Sequence, residues 1–149
     1  MRCGQRKNET AGHARLERGV TPKGIEMYFI GPHVSIGGGV ANAPANAKKL
    51  GATGFGLFVK NQRQWTAAPC AAADVEAFKL QMKADGYTAK QVLPHAGYLI
   101  NLANPDEEAH AKSMASIIDE LKRCMALGLD KLNFHPGSHL RLLTPQAAC

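Results

Sequence analysis

Residues 91–135 read QVLPHAGYLINLANPDEEAHAKSMASIIDELKRCMALGLDKLNFH. The short apolar run QVLP (91–94) ends at His95. Asn104 is placed to cap a helix, Pro105 suits its first position, and Asp106, Glu107 and Glu108 lie against the positive end of its dipole. Met114, Ile117, Ile118, Leu121, Cys124 and Met125 then recur at helical spacing, and Gly128 is a stop signal. A second apolar run, KLNF (131–134), ends at His135. Strand, crossover helix, strand is the sequence form of a parallel pair.

The same unit extends towards the N-terminus. MYFIG (27–31) ends at Pro32 and His33; a Gly-rich turn, IGGGVAN, then leads to an Ala-rich helix from about Ala43 to Leu50, with Asn42 as its cap and Gly51 as its stop. FGLFV (55–59) ends at Lys60-Asn61-Gln62-Arg63 and is followed by a helix over about Asp74–Ala84, closed by Gly86. Four βα-type units are thus visible, the fourth without its helix, and they give an α/β fold on a parallel sheet. That sheet is either open and doubly wound or about the first four βα units of a (β/α)8 TIM barrel. No GxGxxG or GxxxxGK[ST] pattern follows the first strand, which argues against the nucleotide-binding versions, and the Gly37–Gly39 run reads as a flexible turn.

Composition sets outer limits. At 149 residues, 45% hydrophobic and 20% charged, the chain has too much apolar content for a disordered one, and it holds no apolar run of about 18 residues that would span a membrane. The net charge of +6 is unevenly placed. Residues 1–26 hold six basic side chains against Glu9, Glu17 and Glu26, so half of the charge sits in a leader of different composition. That leader has no apolar centre of a secretory signal; it reads as an unstructured extension ahead of a start at Met27. Cys3, Cys70, Cys124 and Cys149 make no CxxC pair, so neither a zinc ribbon nor a disulfide framework is expected, and reduced thiols in the cytoplasm are.

Three of the four strands end in histidine: His33, His95 and His135. In a barrel the C-terminal strand ends share one mouth, so the three imidazoles converge as a metal site requires. His139 follows His135 across Pro136 and Gly137, which rules out shared ligation from one helix face. No Asp or Glu stands at a strand end; Asp74, Glu76, Asp119 and Glu120 fall on helices, where solvation accounts for them, so the mouth supplies half a metal site. A second group is KNQRQW (60–65): Lys60 and Arg63 suit phosphates, Asn61, Gln62 and Gln64 suit bases or sugars, and Trp65 offers either a stacking face or a core contact. A third is GYLINL (97–102), where Tyr98 and Leu99 stand at a loop tip as a wedge for a nucleic-acid stack or as a buried anchor.

IGPHVSIGGGVANA, LFVKNQRQW, VLPHAGYLINL and LNFHPGSH, in this order and spacing, resemble the N-terminal half of the endonuclease IV family. The resemblance runs from about Met27 to the C-terminus. It implies a (β/α)8 barrel, a cluster of three zinc ions, and incision of double-stranded DNA on the 5′ side of abasic sites. By motif it implies His95 and His135 as zinc ligands, with Arg63, Tyr98, Leu99 and, more weakly, Gln64 as DNA contacts; His33 is not expected to ligate. The carboxylate ligands of the family fall in later strands. This chain is therefore expected to hold at most a partial zinc site, to show little nuclease activity alone, and to act as a monomer when full length, without a membrane. The competing readings are a metal-dependent sugar isomerase or epimerase barrel, which has no need of KNQRQW, and a non-catalytic DNA-binding fragment.

Overall fold

The computed structural model describes residues 28–142 and 144–147. The extension expected over residues 1–26 lies outside them. The elements are α1 (Asn42–Lys49), β1 (Phe55–Phe58), α2 (Ala72–Asp85), β2 (Val92–His95) and α3 (Glu107–Leu127), with short 3-10 turns at Ala89–Gln91 and Pro145–Ala147.

β1 and β2 pair in parallel, with Phe55 opposite Val92 and Phe58 opposite His95. The expected first and fourth strands flank this pair but each closes only one bridge, His33 to Gly56 and His95 to Asn133, both parallel. Their backbone bonds are nonetheless those of a ladder: Gly56 N donates to Pro32 O at 3.1 Å and Asn133 N to Pro94 O at 2.8 Å. The order in space is the order in sequence, as in a barrel wall.

Alternation sorts the two faces. Phe55, Leu57 and Val59 of the β1 region and Val92 of β2 point at the helices and join Phe78, Met82, Tyr87, Cys124, Leu127 and Leu129 in one core. Phe78 and Leu57 are completely buried, each contributing about 1.5–3 kcal/mol through apolar burial. The other face carries Gly56, Phe58, Leu93 and His95, and Leu93 is exposed there. A cavity of about 450 Å³ runs along this open side, lined by His33, Gly56, Leu93, His95 and Asn133 among others.

The helix ends differ from the sequence expectations. Ala41, not Asn42, is the N-cap of α1, and no side chain caps it; the Asn42 amide donates instead to Gly37 O at 2.9 Å. On α3 the cap is Asp106, whose Oδ1 accepts from Ala109 N at 2.8 Å, while Asn104 Oδ1 accepts from Asp106 N and shapes the approach. Gly86 and Gly128 end α2 and α3 in the left-handed region, at φ of 78° and 76°. Only a third of the apolar stripe read on α3 is buried: Ile117 and Cys124 are in cores, whereas Met114, Ile118, Leu121 and Met125 are exposed. The face of α3 that turns inward runs through Ser113, Ser116, Ile117, Glu120, Arg123, Cys124 and Leu127.

Candidate functional site

β2 delivers His95 to the C-terminal end of the sheet, and the following parallel segment delivers His135 beside it. The two imidazole centroids are 5.2 Å apart. Tyr98 lies 5.9 Å from His95 and 6.5 Å from His135, and Phe58 fills the gap at 5.3 Å from Tyr98. His95 Nδ1 is 2.7 Å from Ala96 O, an oxygen that can only accept. Nδ1 therefore carries the proton and Nε2 keeps the lone pair that a metal would use. His33 stands on the far side, 6.4 Å from His95 and 4.3 Å from Phe58. Partial burial and then the neighbouring His95 hold its pKa below the ordinary histidine value, so it favours the neutral form. Gly56 makes room for that ring, since a Cβ there would come within 3.1 Å of His33 Cδ2.

Two loops frame the imidazoles. After β1, Arg63 and Gln64 are exposed on a turn in which Arg63 N donates to Asn61 Oδ1 at 3.0 Å and Gln64 N to Asn61 O at 3.1 Å. After β2, Tyr98 and Leu99 are both exposed at a loop tip, at 65% and 38%, which removes the buried-anchor reading of Leu99. Trp65 is half-buried with the Lys112 ammonium 4.7 Å from its ring centroid. The site residues read from sequence thus gather around one end of the sheet: His95, His135 and Tyr98 in mutual contact, with Leu99 beside Tyr98 on the same loop tip and Arg63 and Gln64 on the neighbouring loop.

Two expectations need correction. Lys60 does not face phosphates: it is buried, and its Nζ donates to Ser116 Oγ at 2.9 Å, Trp65 O at 3.0 Å and Asp119 Oδ2 at 3.1 Å, with Glu120 Oε1 at 3.5 Å. Glu120 is not a solvated helix acid: its side chain is 1% exposed and accepts from Gly97 N at 3.1 and 3.2 Å. Burial pushes the Glu120 carboxyl above its ordinary range, and Lys60 and Gly97 pull it only part of the way back. Asp119 goes the other way, since burial raises it but hydrogen bonds from Arg123 and Lys60 more than offset that.

Asn101 escaped the sequence reading altogether. It ties the loop after β2 to the segment bearing His135: its Oδ1 accepts from Ser138 N at 2.7 Å and Ala103 N at 3.2 Å, and its amide donates to Ser138 O at 3.0 Å. The signal was the Asn two residues before Ala103, an Asx-turn position. His139 engages its own turn, accepting from Arg141 N at 3.1 Å.

Residues 44–149 match the family described as xylose isomerase-like TIM barrel. The chain belongs to the xylose isomerase-like TIM barrel family. Among the relatives it resembles in this family is the probable endonuclease 4 of Campylobacter concisus (strain 13826), 56% identical over 118 residues, or 79% of this chain and 42% of the relative. The probable endonuclease 4 of Chlorobium luteolum is 53% identical over 119 residues, covering 80% of this chain and 43% of the relative. The crystal structure of endonuclease IV from Thermus thermophilus aligns with a TM-score of 0.67 at 34% identity, over 80% of this chain and 43% of that one. The endonuclease IV resemblance carried by the four motifs is thereby borne out, as is the partial barrel. The chain spans about two fifths of the length of the relatives it matches.

Among the described residues no group of three or more His, Cys, Asp or Glu side chains is arranged to hold a metal ion. The donors present nevertheless suit zinc in kind: two neighbouring imidazoles, one with its tautomer fixed by a backbone carbonyl. Two such donors are fewer than the three or four protein ligands a zinc ion normally takes. No helix among the described residues is long and apolar enough to cross a membrane.

Proposed function

We propose that this chain forms part of a DNA-repair endonuclease of the endonuclease IV type, which hydrolyses the phosphodiester 5′ to an abasic site in double-stranded DNA and leaves a 3′-hydroxyl. The observation that carries the reading is the pairing of His95 with His135 at 5.2 Å, bordered by exposed Tyr98 and Leu99 and by the Arg63 turn. His95 and His135 are the metal ligands in this reading, and zinc, when bound, acidifies a coordinated water and offsets charge on the phosphate oxygens.

The chain's own residues supply the rest. The Ala96 carbonyl fixes the His95 ring, and Phe58 and Tyr98 pack their rings beside it at 5.7 and 5.9 Å. Arg63 meets a backbone phosphate, with Gln64 beside it, and Tyr98 and Leu99 enter the stack where a base is missing and unstacking costs least. Because two imidazoles do not complete a zinc site, these residues alone hold at most one zinc weakly and incise DNA poorly. The setting is the cytoplasm, which suits the free thiols of Cys70 and Cys124, and the acting species is a monomer. A sugar isomerase or epimerase would leave the exposed Arg63, Tyr98 and Leu99 without a task.

Fluorescence anisotropy on a duplex with one abasic analogue, against the intact duplex, tests the reading. The expected result is salt-sensitive binding that prefers the abasic duplex by about tenfold, equivalent to about 1.4 kcal/mol. Equal affinity for both duplexes would contradict it, and lesion-independent, salt-sensitive binding would leave only a DNA-binding fragment.

A further inference from the structure

We propose that Lys60 and Glu120 are positioning residues, a buried ion pair that locks the two DNA-facing loops to α3 and to each other. The inference rests on the reading above for what the loops touch, but the lock itself is a matter of geometry.

The Lys60 ammonium has three protons and spends them on Trp65 O, Ser116 Oγ and the acid pair Asp119 and Glu120. Its bond to Trp65 O closes the turn over residues 60–65 that presents Arg63 and Gln64. Glu120 then uses both oxygens on Gly97 N, the amide just before Tyr98 and Leu99 in the loop after β2. At this point the loops abut: a Cβ on Gly97 would lie 3.2 Å from Glu120 Oε1 and 3.4 Å from Gln62 O, so glycine allows the closest approach. The same face of α3 continues the task on either side. Ser113 Oγ accepts from Asn101 N at 3.1 Å, and Arg123 donates to Ala67 O at 2.8 Å. Positions 113, 116, 120 and 123 recur at helical spacing, so one polar stripe grips both loops.

Stability alone does not call for this arrangement. A buried ion pair replaced by apolar groups of similar volume often leaves a protein as stable or more so, because two desolvation penalties disappear with it. What the charges add is direction, fixing which carbonyl and which amide each loop offers to the helix.

The test compares the full chain with its Lys60→Met/Glu120→Leu double variant and with Glu120→Gln. Trp65 is the chain's single tryptophan, so acrylamide quenching of its fluorescence reads the first loop without any DNA. The double variant is expected to keep the wild-type thermal midpoint within a few degrees, to raise the Trp65 quenching constant at least about twofold, and to lose most of the abasic-over-intact preference. Glu120→Gln keeps an acceptor and the volume; it is expected to lose part of the preference, and it reads the proposal if the double variant fails to fold. Folded variants with unchanged quenching and unchanged preference would overturn the lock. If the wild-type chain shows no lesion preference but quenching rises in the variants, the lock stands and the nuclease reading falls.

Discussion

Replacing Asn101 by alanine removes three hydrogen bonds, two of them between the loop after β2 and the segment that carries His135 and one within that loop. Oδ1 loses Ser138 N at 2.7 Å and Ala103 N at 3.2 Å, and the amide loses Ser138 O at 3.0 Å. A protein hydrogen bond contributes a net of about 0.5–1.5 kcal/mol, and the two to Ser138 are exposed, so the total lies at roughly 1–3 kcal/mol. The loss falls on the Pro136–Ser138 turn rather than on the core around Phe78. His135 then spends less time beside His95, and zinc affinity should fall by about 5- to 150-fold, following tenfold per 1.4 kcal/mol. Competition against a chromophoric zinc chelator measures this, with the urea midpoint as the control for global unfolding. Asn101→Asp keeps the acceptor oxygens and loses only the donated bond, so its defect should be the smaller. An Asn101→Ala chain with unaltered zinc affinity would refute the reasoning that this side chain sets the spacing of the two histidines.

Arg63→Ala should weaken binding to an abasic duplex, and lower its salt dependence by about one phosphate contact, while zinc content by atomic absorption stays at the wild-type level. Phe78→Ala opens a cavity where no solvent reaches and should cost about 3–5 kcal/mol by urea unfolding. Asp119 is held below its ordinary 3.8, so its contribution to stability is present above that pH and lost as pH falls through the folded value; Asp119→Asn should flatten this acid limb of the stability curve. Glu120 has the opposite sign. Its raised pKa gives a contribution complete below about 4.5 and lost as pH rises through the folded value, so Glu120→Gln should reduce the decline on that side.

What the sequence revealed, it revealed through position. His95 and His135 could be paired because strand ends of parallel units share one edge, and that holds whether or not the outer strands form full ladders. Tyr98 and Leu99 follow His95 directly and were carried to the same edge. Lys60 and Glu120 were misread because their roles depend on packing. Lys60 opens a basic segment and looks like its neighbour Arg63, yet as the residue next to buried Val59 at the end of β1 it points under the loop. Glu120 lies on a helix whose apolar residues trace a stripe through Met114, Ile117, Ile118, Leu121, Cys124 and Met125, and the acid falls off that stripe. The buried face is turned about one residue, or roughly 100°, from that stripe, towards Ser113, Ser116, Glu120 and Arg123. Hydropathy periodicity cannot find a face whose partners are a lysine and backbone amides. The cap at Asp106 rather than Asn104 has a similar cause: both side chains can cap and they stand two residues apart, so only geometry chose between them.

The central claim is that His95 and His135 belong to the working site of an abasic-site endonuclease. It is tested most directly in a single chain that joins this sequence to the part of the Campylobacter concisus relative beyond the matched region. That chimera should nick an abasic duplex on the 5′ side of the lesion in a chelator-sensitive reaction, and His95→Ala or His135→Ala should lower the rate by at least about 100-fold. A folded chimera that incises equally well with both histidines replaced would contradict the account.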